Sequence, residues 1–262
     1  MTNSSSFNNE GSIMAEWNRQ TAENINSMEK YELLFEAANE STLSKLDNFA
    51  RHVRRQPLSK FLARAEIYKN ILNVHGSVLD LGVNAGQSLF TWAQLSSIWE
   101  PLNYTRQIIG FDSFEGIPSV KDIDRAGPGP SEHATLGGFS YSNIETLDQA
   151  IGAYDSNRFL SHISKVELIK GDITQTLPQY IIDHPHIVVS LLHIDVDVYD
   201  PTYIALKHVV PLMPKGSVIV FDEVNQIPYP GETQAVKDLI GLSNLRLNRF
   251  TWETGISYTV IE

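Results

Sequence analysis

The sequence predicts a doubly wound α/β domain, its sheet mostly parallel and covered by helices on both sides. Three observations carry this prediction. From Ser77 onward, short apolar runs alternate with amphipathic stretches. The runs are apolar on both faces, as strands buried on both sides of a parallel sheet must be. Turns rich in glycine and acid follow the runs, at the strand ends where an open α/β sheet takes its ligands.

Strands are read at Ser77–Leu81, Gln107–Phe111, Lys165–Ile169, Ile187–Ile194 and Ser217–Phe221. Helices are read at 87–99, 143–152, 174–183, 201–212 and 231–241. A closing strand pair is expected at 245–251 and 256–261, where Gly255–Ile261 alternates like an antiparallel edge or inserted strand. Upstream, Leu58, Phe61, Leu62, Ala65, Ile67, Tyr68 and Ile71 form an apolar stripe near the 3.6 period, so Leu58–Leu72 reads as a helix. Residues 13–50 read as weakly amphipathic helices, and residues 1–12, dominated by Asn and Ser, as disordered. The division is therefore a partly disordered helical extension or lid at 1–54 and an α/β domain at 55–262. About 30 residues rich in Gly and Pro separate Phe111 from the helix near Asn143. A loop of that length is functional or disordered.

Composition excludes several classes. The chain has 262 residues, long enough for a core without metal or disulfide staples. It carries 31 acidic and 20 basic residues, a net charge of −11. Without a local basic patch such a chain does not grip a nucleic-acid backbone or an anionic membrane. There is no cysteine, hence no disulfide, thiolate metal site or Cys nucleophile. The first residues lack a secretory pattern, and the longest apolar run, Ile187–Ile194, is far shorter than the ~20 residues a bilayer requires. A cytoplasmic location is expected. Apolar residues of 13–50 leave room for a homo-oligomer interface.

Candidate chemistry follows the strands in turn. After the first comes Asp80-Leu-Gly82-Val-Asn84-Ala-Gly86-Gln-Ser88, an acid and two glycines opening a helix. Glycine allows the tight turn and a close backbone approach to a ligand. The acid disfavours a phosphate and suits an ammonium group. After the second strand, Asp112-Ser113-Phe114 offers a carboxylate for ribose hydroxyls and a ring for adenine, or an Asx turn. After the third, Asp172-Ile173 suits an adenine edge or a helix N-cap. After the fourth comes His193-Ile-Asp195-Val-Asp197, and after the fifth Asp222-Glu223. Period two puts His193, Asp195 and Asp197 on one side. Clustered carboxylates repel, and a hard divalent cation, Mg2+ or another, would offset this. Glu232, in a helix first turn, is read as structural. His52, Arg54, Arg55, Lys60 and Arg64 read as a solvated basic face or, less simply, a contact to substrate. His133 reads as a surface residue.

The segments VLDLGVNAGQS, GFDSFEGIP, LIKGDITQTLP, LLHIDVDVYDPTYIALKHVVPLMPKGSVIVFDE and PGETQAV, in this order across 77–240, resemble the class I S-adenosylmethionine-dependent methyltransferases. More narrowly they resemble the metal-dependent TylF-type sugar O-methyltransferases of antibiotic pathways. The resemblance implies a Rossmann-like, seven-stranded sheet and an enzyme that methylates a saccharide hydroxyl on an antibiotic or surface glycan. It implies that Asp80, Gly82, Asn84, Gly86 and Ser88 line the methionine part of the donor. By the same carry-over, Asp112, Ser113 and Phe114 hold ribose and adenine, and Asp172 with Ile173 the adenine edge. Asp195, Asp222 and Glu223 match the metal ligands, and Asp197 a general base acting beside Asp195. Several members of that family have two Asp where this chain has Asp222-Glu223. A catechol-like acceptor, or a metal-dependent hydrolase on the same fold, would use the same acids.

Overall fold

The computed structural model describes residues 22–262. The disorder expected at 1–12 lies outside the described residues. The chain divides into two compact units, Met1–Lys60 and Phe61–Glu262. In the first, helices α1 (Ala22–Ala37) and α2 (Thr42–Asp47) are described. Ser41 caps α2 through its side chain, which accepts the Ser44 N–H. Leu33, Leu34, Phe35, Leu43, Leu46 and Phe49 are all exposed. Helix α3 (Arg55–Tyr68) runs across the boundary, and its residues from Phe61 on belong to the second unit.

The second unit is built on a seven-stranded sheet ordered β3-β2-β1-β4-β5-β7-β6. The strands are β1 (Ser77–Leu81), β2 (Ile108–Asp112), β3 (Val166–Lys170), β4 (Val189–Ile194), β5 (Val218–Phe221), β6 (Asn248–Arg249) and β7 (Ser257–Val260). The first five are parallel; β7 runs antiparallel to β5, and β6 to β7. The helices are α4 (Gln87–Trp99), α5 (Ile144–Ser156), α6 (Ile173–Asp183), α7 (Tyr199–Val209) and α8 (Pro230–Leu239).

Strand alternation divides the core in two. Val78 joins Ala63 and Ile67 of α3, Leu89 and Trp92 of α4 and Leu147 of α5 on one face. Leu79 and Leu81 join Leu177 of α6, Leu206 of α7 and Val236 of α8 on the other. Chain order reverses between β1 and β4, so the crevice at their C-terminal ends is the topological switch point.

Several boundaries differ from the sequence reading for identifiable reasons. Helix α7 starts at Tyr199 rather than 201, because the Asp124 carboxylate accepts the Tyr199 N–H at 2.7 Å from far away in sequence. It ends at Val209, where Pro211 tightens the chain into a short 3₁₀ turn. The α3 stripe is rotated from the expected one: Leu62 is 49% exposed, while Arg64 is 1% exposed. The long loop is tied down. Asp124 also accepts the Lys121 N–H at 2.7 Å, Ser131 N–H donates to Pro228 at 3.1 Å, and Arg125 donates to Ala134 at 3.0 Å. Gly231 at the start of α8 has no space for a Cβ, which would lie 2.0 Å from Asp124 Oδ1. The loop is thus seated on the N-terminal ends of α7 and α8.

Candidate active site

Two strand mouths meet at the switch point. At the β1 mouth, the chain turns through Gly82 and Gly86, with φ near 88° and 89°. A Cβ on Gly82 would lie 1.7 Å from the Asp195 carbonyl oxygen, so only glycine lets the two mouths approach this closely. Asn84, between the glycines, is exposed and also has positive φ.

Asp80 is fully buried and turned inward. It accepts from Ser88 Oγ at 2.8 Å and Trp92 Nε1 at 3.2 Å, and His193 Nδ1 lies 2.5 Å from it. Ser88 is buried with it. Helix α4 presses Ser88 and Trp92 onto the acid, so these side chains support the glycine turn that the sequence reading assigns to the methionine part of the donor. Asp112 reaches back across the strand ends. Its carboxylate accepts the Asn84 N–H at 2.7 Å and the Phe114 N–H at 2.6 Å. Burial raises its pKa, and these two N–H groups oppose the rise.

Ser113 Oγ donates to Gly116 at 2.7 Å and so closes a local turn. Phe114, at φ 56°, packs into the core beside Leu147. Asp172 is the N-cap of α6, accepting the Thr174 N–H at 2.9 Å and its hydroxyl at 2.8 Å. Ile173 is buried against α6 and β2 neighbours. Of the expected donor-site residues, Gly82, Asn84, Gly86 and Asp112 gather around one turn. Ser113, Phe114, Asp172 and Ile173 have roles inside the fold as well.

The β4 and β5 mouths collect acids. The ligand atoms of His193, Asp195 and Asp222 all lie within 4.8 Å of one another. His193 Nε2 is 3.3 Å from Asp222 Oδ1. Burial alone would lower the His193 pKa, but the charge of Asp80 and hydrogen bonds to Asp222 and Asp80 prevail and hold it up at about 9. Strand β4 ends at Ile194, and Asp197 sits at φ 64°, so the chain turns out of strand geometry there. Strand geometry thus stops short of Asp197, whose charge nevertheless acts on Glu223 at this mouth, ahead of that of Asp195. Beside them, Glu223 is 8% exposed, and its Oε2 has no hydrogen-bond partner. Its pKa is pushed well above the carboxylate range by burial and by the charges of Asp197, Asp195, Glu232 and Asp222.

Two residues here, Glu232 read as structural and Arg64 read as part of a solvated basic face or a substrate contact, belong to the acid cluster. Glu232 is fully buried: one oxygen accepts the Glu223 N–H at 3.1 Å, and the other has no partner. Arg64 is a buried cation of the cluster, not a solvated one, with Nη2 at 3.7 Å from Asp222 and 3.9 Å from Asp195. A signal existed for Arg64, which stands three residues after Phe61 and three before Ile67, inside the apolar stripe. His133 packs its ring 5.0 Å from Phe139 rather than standing alone at the surface.

The strand order, the glycine turn at the switch point and the acids beside it define a class I methyltransferase. Comparison with known proteins places the chain further. A family described as a methyltransferase domain matches residues 79–224. Among solved structures, that of CalS11, a calicheamicin methyltransferase, shares 29% identity at a TM-score of 0.87, covering 92% of this chain and 94% of that one. The apo structure of CalS11, described as a TDP-rhamnose 3'-O-methyltransferase, gives 27% identity and a TM-score of 0.79, covering 92% and 96%. The O-methyltransferase NovP, at 17% identity and a TM-score of 0.58 over 78% and 80% of the two chains, shares the fold. No curated protein sequence matches. The chain belongs to the methyltransferase-domain family and is an S-adenosylmethionine-dependent O-methyltransferase. Among the described residues, no helix is long and apolar enough to cross a membrane.

Proposed function

We propose that the chain methylates a hydroxyl of a sugar, with a divalent cation of the Mg2+ type held by Asp195, Asp222 and Glu223 and with Asp197 as general base. The observation that carries the reading is the buried, unpartnered oxygen of Glu223 among four further carboxylates. An oxygen without a donor in such a place is costly as a carboxylate, and either a proton, which the raised pKa favours, or a cation offsets that cost. A set of hard oxygen donors suits Mg2+. The likeness to CalS11, described as acting on TDP-rhamnose, supports a sugar acceptor.

When bound, S-adenosylmethionine supplies an electrophilic methyl on a sulfonium, and a divalent cation lowers the pKa of the hydroxyl it holds. The backbone of Gly82, Asn84 and Gly86 cradles the methionine part, and Asp80 with Ser88 keeps that turn in shape. Asp112, fixed by two N–H groups, presents its remaining lone pairs to the ribose. Ser113 and Phe114 shape the ribose and adenine side, and Asp172 with Ile173 the adenine edge. Asp197 takes the proton from the acceptor hydroxyl, its positive φ turning it out of the strand. Close contact of Gly82 with Asp195 sets donor and acceptor side by side, and such positioning supplies much of the rate. The loop 113–140, seated on α7 and α8, borders this mouth and limits water.

The test combines calorimetry with S-adenosylhomocysteine and a methyl-transfer assay on nucleoside-diphosphate sugars, with a catechol as comparator. Binding and metal-dependent transfer to a sugar are expected. Asp197→Asn should lower turnover by about a hundredfold or more. Absence of S-adenosylhomocysteine binding overturns the donor site. Full activity after metal stripping removes the cation, and transfer to the catechol alone overturns the sugar acceptor.

A further inference from the structure

We propose that Arg64 is the built-in counter-cation of the acid cluster: a positioning residue that holds Asp195 and Asp222 together in the metal-free protein and weakens the site's hold on a divalent cation. The inference rests on the metal reading above and deepens it.

Arg64 lies on the buried face of α3, 1% exposed. Its Nη2 stands 3.7 Å from Asp222 Oδ1 and 3.9 Å from Asp195 Oδ2. These separations attract, but they exceed hydrogen-bond length. Its Nη1 donates to Gln87 Oε1 at 3.1 Å, which anchors the group from the first residue of α4. Its Nε is buried with no partner. A guanidinium kept dry with a donor unmet is unfavourable in itself. What holds it there is the summed negative charge of the β4 and β5 mouths.

The same position makes Arg64 a competitor. A divalent cation accepted by Asp195 and Asp222 comes within a few ångströms of a fixed positive charge, and like charges that close disfavour each other. Arg64 therefore acts in two directions. Without metal it offsets the repulsion among the acids. With metal it lowers affinity, so that the cation exchanges instead of being locked in.

The experiment measures Mn2+ binding by calorimetry and thermal unfolding with and without Mn2+, in the full chain without donor or acceptor. Arg64→Met should melt lower than wild type when metal-free, bind Mn2+ about tenfold more tightly, and gain more from Mn2+ on heating. Arg64→Lys should return all three readouts toward wild type. Arg64→Gln, which keeps polar donors without the charge, replaces the Met variant if that one does not fold. Wild-type binding of Mn2+ together with equal or weaker binding by the charge-free variant overturns the role of Arg64 alone. Failure of the wild type to bind Mn2+ is a different signature: it overturns the metal reading, and this inference with it.

Discussion

The two mouths that meet at the switch point both contain buried carboxylates, yet they satisfy them to different degrees. At the β1 and β2 mouth each acid is completed by the protein: Asp80 by Ser88, Trp92 and His193, Asp112 by the N–H groups of Asn84 and Phe114. At the β4 and β5 mouth, Glu223 and Glu232 each keep a buried oxygen with no partner, and the facing Arg64 stands off beyond hydrogen-bond length. A satisfied buried acid stabilises the geometry around it. An unsatisfied one raises the energy of the fold until a proton or a cation offsets it, and burial has already raised the pKa of Glu223 and Glu232. The first mouth therefore holds its shape through its own hydrogen bonds, whereas on the metal reading proposed above the second would be completed by a cation.

The largest expected effect tests the satisfied side. Asp80→Ala leaves the His193 ring, the Ser88 hydroxyl and the Trp92 N–H facing a hole where their acceptor stood. Removing one partner from a buried charged pair costs about 3–5 kcal/mol, a large share of a typical domain's stability. Urea unfolding should show that loss. A change within about 1 kcal/mol would mean the acid is not what holds this turn.

The unsatisfied side should respond the other way. Glu223→Gln removes a desolvated carboxylate crowded by Asp197, Asp195, Glu232 and Asp222. The metal-free variant should melt at the wild-type temperature or higher, while methyl transfer falls by about tenfold to a hundredfold. A variant that is less stable but fully active would reverse the comparison between the mouths.

The sequence revealed unevenly what these mouths contain. Parallel strands were legible because β1, β4 and β5 are apolar on both faces, and helix 87–99 because its amphipathic run follows a glycine turn. The acids at 195, 197, 222 and 223 stood out by position, one strand end after another. What stayed hidden was long-range. Nothing local says that Asp124 caps a helix 75 positions away, or that Asp80 spends its oxygens on α4 and β4. Arg64 was grouped with His52, Arg54, Arg55 and Lys60 as a solvated basic face or, less simply, a substrate contact. Its burial depends on the carboxylates of β4 and β5, which only tertiary folding brings to α3. Asp197 was placed with His193 by period two; the backbone leaves strand geometry before it and takes positive φ there, yet its charge still acts on Glu223.

The smallest expected effect asks whether the same distinction holds for a charge far from both mouths. Lys165, buried just before β3, donates to the Asn103 carbonyl at 2.5 Å. Burial is the main cause that lowers its pKa from 10.5 to about 8; the nearby charge of Glu100 opposes the shift, and Arg106 and Arg158 add to it. Because the folded-state value is the lower one, the unfolded chain binds more protons between about pH 8 and 10.5, and this group adds stability as pH rises through that window. Lys165→Met lacks the linkage. The variant's stability relative to wild type should therefore decline between pH 7 and pH 9.5, followed by urea unfolding on both proteins, while methyl transfer at neutral pH stays unchanged. Parallel stability curves would show that the amine keeps its ordinary affinity for protons. A loss of activity would show that satisfied charges outside the mouths also reach the chemistry.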